Sequence, residues 1–413
     1  MSDKCRDKYW GNFLSFRTLK TQDPQRALLQ RDLLKQRQAM LASLAERCLL
    51  AWVQDPSPML GPSAQTWFWF NHFNVHAAKG QVGVLLASYW HEALQPQVQG
   101  RFADMLQAAT LHPAMLVYLD NASNVRGRGN ENHARELLEL HTLGVQGGYT
   151  QADVQALARA MTGWGVDFAS FASGQPERAV FFSKRHDPEQ VQVLGQSAQG
   201  AGAQVLPAVL QRLAAHPRTA QHIAQRMCVW AVTDEPPVAW VQHVATVFTE
   251  SGGSLPSVWA EVQVLRQRWR QQGGALSFTD PLRYTVAALQ LLCNGQPLHH
   301  PKPVLRWLQL LGQPWFGRST PDGYPLRGDA WLNTGQLTQR VELAREMVAS
   351  LPTLLGWPDA AARAEHAQTV LDSDRGRALQ AWLPPSARAV LQRTRQPHEA
   401  LALLLASPAC MFH

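Results

Sequence analysis

Apolar residues return again and again at i, i+3, i+4 and i+7, in segments bounded by Pro or Gly. Side chains at that spacing share one face of a helix, and an apolar face has to be buried against a neighbour. The pattern places helices at about 24–53, 99–109, 131–143 and 151–161. It places others at about 203–214, 219–232, 237–249, 257–271, 281–292, 303–311, 336–349 and 398–407. His112-Pro113 and His216-Pro217 read as punctuation before a helix. Strand-like alternation is confined to 178–183, which is expected to pair with 191–194. The expected fold is mainly α, a multi-helix globular domain with long irregular loops and at most a small β-hairpin. The loops fall at 121–129, 165–202 and 312–335.

Charge narrows the range of partners. The net charge is +7, but ten basic and five acidic residues lie in 1–50, so the rest carries only +2. The chain therefore divides into a basic N-terminal helical segment, 1–59, and a helical domain, 60–413, with room for a further division near residue 200. Nucleic-acid binding needs a basic face with stacking aromatics. The nearly neutral body lacks that excess, so nucleic acid is not the expected partner. Cys5, Cys48, Cys228, Cys293 and Cys410 form no CxxC pair, which removes zinc-ribbon and thioredoxin-type motifs. No uncharged run approaches the ~20 apolar residues of a membrane span. Met-Ser-Asp-Lys-Cys-Arg-Asp-Lys opens the chain with no apolar stretch behind it, so a cytoplasmic location is expected. Serine-hydrolase elbows, Walker loops and dinucleotide-binding glycine fingerprints are missing as well.

Two constellations carry chemistry. In Asn130-Glu131-Asn132-His133-Ala134-Arg135-Glu136-Leu137-Leu138-Glu139-Leu140-His141, a helical step of ~100° puts Glu131, Asn132, Arg135, Glu136 and Glu139 within one arc. The plain alternative is a solvated face laced by i, i+4 ion pairs. If the face is buried, the carboxylates are metal ligands or acid/base groups oriented by Arg135. In Trp67-Phe68-Trp69-Phe70-Asn71-His72-Phe73-Asn74-Val75-His76, the two histidines stand at i, i+4, a spacing that suits one metal. Phe73 occupies the place of the catalytic Glu of zinc-peptidase helices, which argues against that class. The alternative is a pair of histidines hydrogen-bonded inside an aromatic core. Asp120 ends an apolar run, and His186-Asp187 in the long loop suggests a general base and its orienter.

The run Asn130 to Gly144 resembles the signature of the bacterial "domain of unknown function 1800" family. The likeness continues through Gly148-Tyr149-Thr150-Gln151, Ala158-Arg159-Ala160-Met161-Thr162-Gly163-Trp164, His186-Asp187 and Pro321-Asp322-Gly323-Tyr324-Pro325. Upstream it includes Trp69-Phe70-Asn71-His72-Phe73 and the segment from His112 to Asn121. It runs in order from about residue 60 to the end. The resemblance implies a mainly helical protein of a family in which many members carry export signals and are often encoded beside a sulfatase-like protein. It raises His72, Asp120, Asn130, Glu131, Asn132, Arg135, Glu136 and Glu139 as functional residues. His76 departs from the pattern, where an aromatic or small residue is expected.

The leading expectation is an enzyme with its site between the His72 helix and the Glu131–Glu139 helix, covered by loops 165–202 and 312–335. Glu131, Arg135, Glu136, Glu139, Asp120 and His186 are its catalytic candidates. A divalent metal on His72 and Glu136 is its expected cofactor. The alternative is a non-catalytic scaffold or maturation partner of the sulfatase-like protein.

Overall fold

A computed structural model describes residues 3–57, 59–359 and 362–412. Several of its helices begin where the sequence supplies a cap. The Asp23 carboxylate accepts from the Gln25 amide, and Pro24 opens the helix Pro24–Gln54 at the position where proline's missing N–H goes unused. His112 and His216 cap with an imidazole. Each Nδ1 accepts from the amide two residues on at 3.1 Å, starting Pro113–Tyr118 and Pro217–Ala231. Thr150 and Asp153 form a reciprocal capping box at the head of Gln151–Ala160. The remaining stripes become Phe102–Thr110, Val205–Ala214, Val238–Glu250, Leu255–Gln271, Pro281–Cys293, Lys302–Leu310, Thr334–Ala349 and Pro397–Leu405. Helices also form at Asp3–Thr18 and, in four short pieces, between residues 351 and 393, where no stripe stands out.

The fold is mainly α, with two small two-stranded antiparallel sheets among the described residues. The strand expected at 178–183 is present as Ala179–Phe181, but it pairs with Trp164–Val166. Gln192–Val193 instead folds onto Gln196–Ser197. Leu194 and Gly195 both have positive φ, 53° and 71°, which turns the chain back at once in a two-residue hairpin. The partner expected for 179–181 is thereby used up locally.

The helix Pro62–His72 runs through the centre of the core. Trp67 meets Trp315 with ring centroids 4.7 Å apart, Phe68 meets Trp230 and Trp259 at 5.3 and 5.2 Å, and Trp69 meets Phe102 at 5.7 Å. Aromatic rings leave this helix in every direction, so it has no solvent face. The first fifty residues join the same core through Trp10 and Leu49, both fully buried, while Arg17, Lys20, Arg31 and Lys35 stay exposed. No helix among the described residues is long and apolar enough to cross a membrane.

The segment 312–335 is pinned onto the end of this central helix. The Asn71 side chain donates to the Tyr324 carbonyl at 2.9 Å and accepts from the Tyr324 amide at 2.6 Å. Asn74 donates to the carbonyls of Arg318 and Thr320 at 3.1 and 2.8 Å. Between these anchors Gly323 has φ 77°, and a Cβ there would stand 2.1 Å from the Asn71 carbonyl oxygen. Gly323→Ala therefore meets both left-handed strain, ~1–2 kcal/mol, and a backbone clash. It is expected to lower the thermal midpoint clearly and to loosen the segment in hydrogen exchange. A wild-type melt would show that the anchor carries no load.

Candidate active site

The signature helix is not regular. Asn132–Glu136 is α-helical and passes into a π-helical turn, Leu137–Thr142, where the Leu143 amide reaches five residues back to the Leu138 carbonyl at 2.9 Å. Thr142 stabilises the wide turn by donating its hydroxyl to the Leu137 carbonyl at 2.7 Å. Single π turns inside helices are frequent at functional sites. Here the turn interrupts the ~100° step only beyond Glu136, so of the expected arc it re-aims Glu139 alone.

Glu131 and Arg135 form the first group. They pair at 2.9 Å, and Gln151 bonds both, giving to Glu131 at 2.7 Å and receiving from Arg135 at 2.9 Å. The pair is more than a third exposed, and its role is to tie this helix to the head of Gln151–Ala160. The asparagines form the second group. Asn121 donates to the Met161 and Trp164 carbonyls, and Asn124 to Asn121 and to the Ala158 carbonyl. The Asn130 amide bonds the Asn124 side chain at 3.0 Å, Asn130 Oδ1 accepts from the Asn132 amide at 3.0 Å, and Asn132 donates to the Leu119 carbonyl. Asn121 and Asn124 are 1% exposed, so this chain satisfies backbone groups that would otherwise be orphaned. Asp120 takes a left-handed backbone, φ 60°, and pairs with Lys79 at 2.7 Å at the surface.

Glu136 and Glu139 form the third group. Burial raises the Glu136 pKa, and the charges of Glu139 and Asp322 raise it further against the opposing pull of Arg135. Tyr118, whose hydroxyl donates to the Ser319 carbonyl at 2.8 Å, is raised by burial and by the charges of Glu136 and Asp322. Glu139 accepts from the Tyr149 hydroxyl at 3.3 Å. Asp322 arrives on the pinned segment, held by Arg318 at 3.0 Å and by Thr320.

Deeper in, His72, His141 and His222 gather against one arginine, and His133 lies near His141. His72 donates Nε2–H to the His141 carbonyl at 3.1 Å, which leaves its buried Nδ1 with a lone pair and no partner. His222 bonds the Leu140 carbonyl at 3.0 Å. The His72 ring lies 5.9 Å from that of His141 and 6.2 Å from that of His222. His133 and His141 are fully buried, and neither ring nitrogen of either has a partner among the described residues. Arg226 lies among them with an enclosed, unpartnered Nε. Burial lowers the Arg226 pKa to about 10, with Asp322 pulling it back up. Burial holds His133 at about 3, and burial together with Arg226 holds His222 at about 4. His72 and His141 fall well below the ordinary value, mainly by burial, with Arg226 and the neighbouring histidines adding to the effect. Arg226 and Asp322 thus link the histidines to Glu136.

The other candidates stand apart. His76 lies beyond the helix, which ends at His72, so the i, i+4 pair does not share a helical face. His186 bonds the Thr162 carbonyl through Nδ1 at 2.9 Å, and with Asp187 it lines a separate cleft of about 280 Å³. Arg226, His222 and Asp322 were missed in the sequence because each looks ordinary in its own segment. Local hints are the motif Pro321-Asp322-Gly323-Tyr324-Pro325 for Asp322 and Gly144 for His222, since Gly144 has φ 82° and a Cβ there would come 2.9 Å from His222 Nδ1.

The family model for "Protein of unknown function (DUF1800)" matches residues 8–412, so the chain belongs to this family, and the match takes in most of the basic N-terminal segment. No curated protein and no solved structure matches the chain.

The neutral histidines have a measurable consequence. An unfolded histidine titrates near ~6.5, whereas His133, His222, His72 and His141 titrate lower in the fold. Below ~6.5 the unfolded chain therefore binds more protons, and stability falls as pH falls, by up to about 1.4 kcal/mol per pH unit for each such histidine. Denaturant midpoints are expected to drop from about pH 7 to about pH 5, and His133→Leu is expected to flatten that slope. A midpoint independent of pH over that range contradicts buried, neutral histidines.

Proposed function

We propose that this member of the DUF1800 family is an acid–base enzyme working at Glu136, with Arg226 supplying positive charge to an anionic or carbonyl oxygen of the substrate. The observation that carries the reading is a carboxyl group raised by burial and like charges, one of them Asp322, whose charge also acts on the Arg226 guanidinium, which lacks a partner at Nε among the described residues. Shifts of this kind, produced by burial and specific neighbours, are what proton-transfer sites require. Glu136 keeps its proton to a higher pH than an ordinary glutamate and can donate it to a leaving oxygen. Arg226 remains charged at neutral pH and stabilises negative charge developing nearby. Asp322 and Glu139 set the proton affinity of Glu136, while Glu131, Arg135 and the asparagines hold the frame. Among the described residues no three His, Cys, Asp or Glu side chains stand together closely enough to hold a metal ion. The reading therefore uses proton transfer by Glu136 rather than a cation on His72 and Glu136.

A scaffold or maturation partner of a sulfatase-like protein is the second reading. It is favoured by how fully Asn121, Asn124, Asn130, Glu131 and Arg135 are engaged in holding backbone and each other. A panel of p-nitrophenyl esters, phosphates and glycosides separates the two. Glu136→Gln and Arg226→Gln, each with a wild-type circular dichroism spectrum, are expected to lose about 10²-fold or more in turnover. Unchanged turnover in both folded variants, or none by the wild type on any member of the panel, favours the scaffold.

A further inference from the structure

A groove far along the chain from Glu136 has the makings of a ligand site. The helices Thr334–Ala349 and Pro397–Leu405 pack together, and along their seam, beside the start of Ala362–Asp372, runs a cavity of about 580 Å³. Sites for small molecules fall in the range of ~300–1,000 Å³, mostly apolar with a few placed polar groups. The walls here are apolar. Val341 and Leu403 expose 37% and 40% of their surface to it and to solvent. Arg345, Arg363, Thr394, His398 and Glu399 supply its polar lining. Neither arginine has an ion pair or hydrogen bond among the described residues, and the enclosed Nδ1 of His398 has no partner. Two unpaired guanidinium groups outweigh the one carboxylate, so the groove pairs an apolar wall with net positive charge.

We infer that this groove binds an acyl-chain carboxylate, with the chain along Val341 and Leu403 and the carboxylate on Arg345 and Arg363. Planar guanidinium groups suit a carboxylate because they can donate two parallel hydrogen bonds. The volume favours a single chain over a partner helix, which is ~10–12 Å across with its side chains. The site is independent of the Glu136 chemistry.

Calorimetric titration of the full chain with dodecanoate below its micelle concentration tests this. Saturable binding at one site per chain is expected. Arg345→Gln combined with Arg363→Gln is expected to weaken it about tenfold or more, which is ~1.4 kcal/mol, and Leu403→Glu is expected to do the same. Circular dichroism of each variant checks that the fold persists, and Glu136→Gln should bind dodecanoate like the wild type. Equal affinity for dodecan-1-ol would overturn the role of the arginines. Absence of saturable binding, or wild-type binding in both groove variants, would overturn the site. A dimer in sedimentation that dissociates in Leu403→Glu would give the groove to a second copy of the chain instead.

Discussion

The reciprocal hydrogen bonds between Asn71 and Tyr324 join residues 253 apart in sequence, and much of the site depends on them. They press the segment carrying Arg318, Thr320 and Asp322 against the end of the central helix. Together with the bonds from Asn74 to Arg318 and Thr320 and from Tyr118 to Ser319, they hold Asp322 near Glu136 and Arg226. The bonds are buried, and a buried amide left without its partner costs ~1–3 kcal/mol, so the segment is held in one position. An irregular stretch thereby becomes part of the site wall.

Beneath that wall, charge and burial act against each other. Arg226 remains cationic among histidines that burial has forced into the neutral state. Burial is the main reason all four stay neutral, and the like charge of Arg226 adds to it for His72, His141 and His222. Asp322 is the charge that answers this cation and pulls its proton affinity back up. The carboxylates respond in the opposite sense, because burial and mutual repulsion favour the proton on Glu136. Burial is the largest cause of both the raised carboxyl and the depressed imidazole values, and for Glu136 the charges of Glu139 and Asp322 add to it.

Legibility in the sequence follows the range of the interactions. Helices such as Pro24–Gln54, Gln151–Ala160 and Thr334–Ala349 could be read because stripe and cap are local. The motif 130–141 was legible as a cluster of polar side chains, though not as three groups with different duties. The π turn at Leu137–Thr142 has no periodic signal, since it depends on side chains packed around it. The pairing of Ala179–Phe181 was misassigned because the turn at Leu194-Gly195 competes for the expected partner. The basic N-terminal residues read as a separate segment from their charge, yet Trp10 and Trp52 seat them in the common core.

By itself the sequence determined the helical class, most helix starts, the absence of common nucleotide and serine-hydrolase motifs, and the family. These rest on spacing within a few residues or on ordered short motifs. Only the tertiary structure decided which polar residues work together. Glu131 and Arg135 became braces, while Asp322 was brought to Glu136 and to Arg226, and His72 to His141 and His222. Proton affinity depends on burial and on charges that are near in space, and neither quantity is carried by neighbours along the chain.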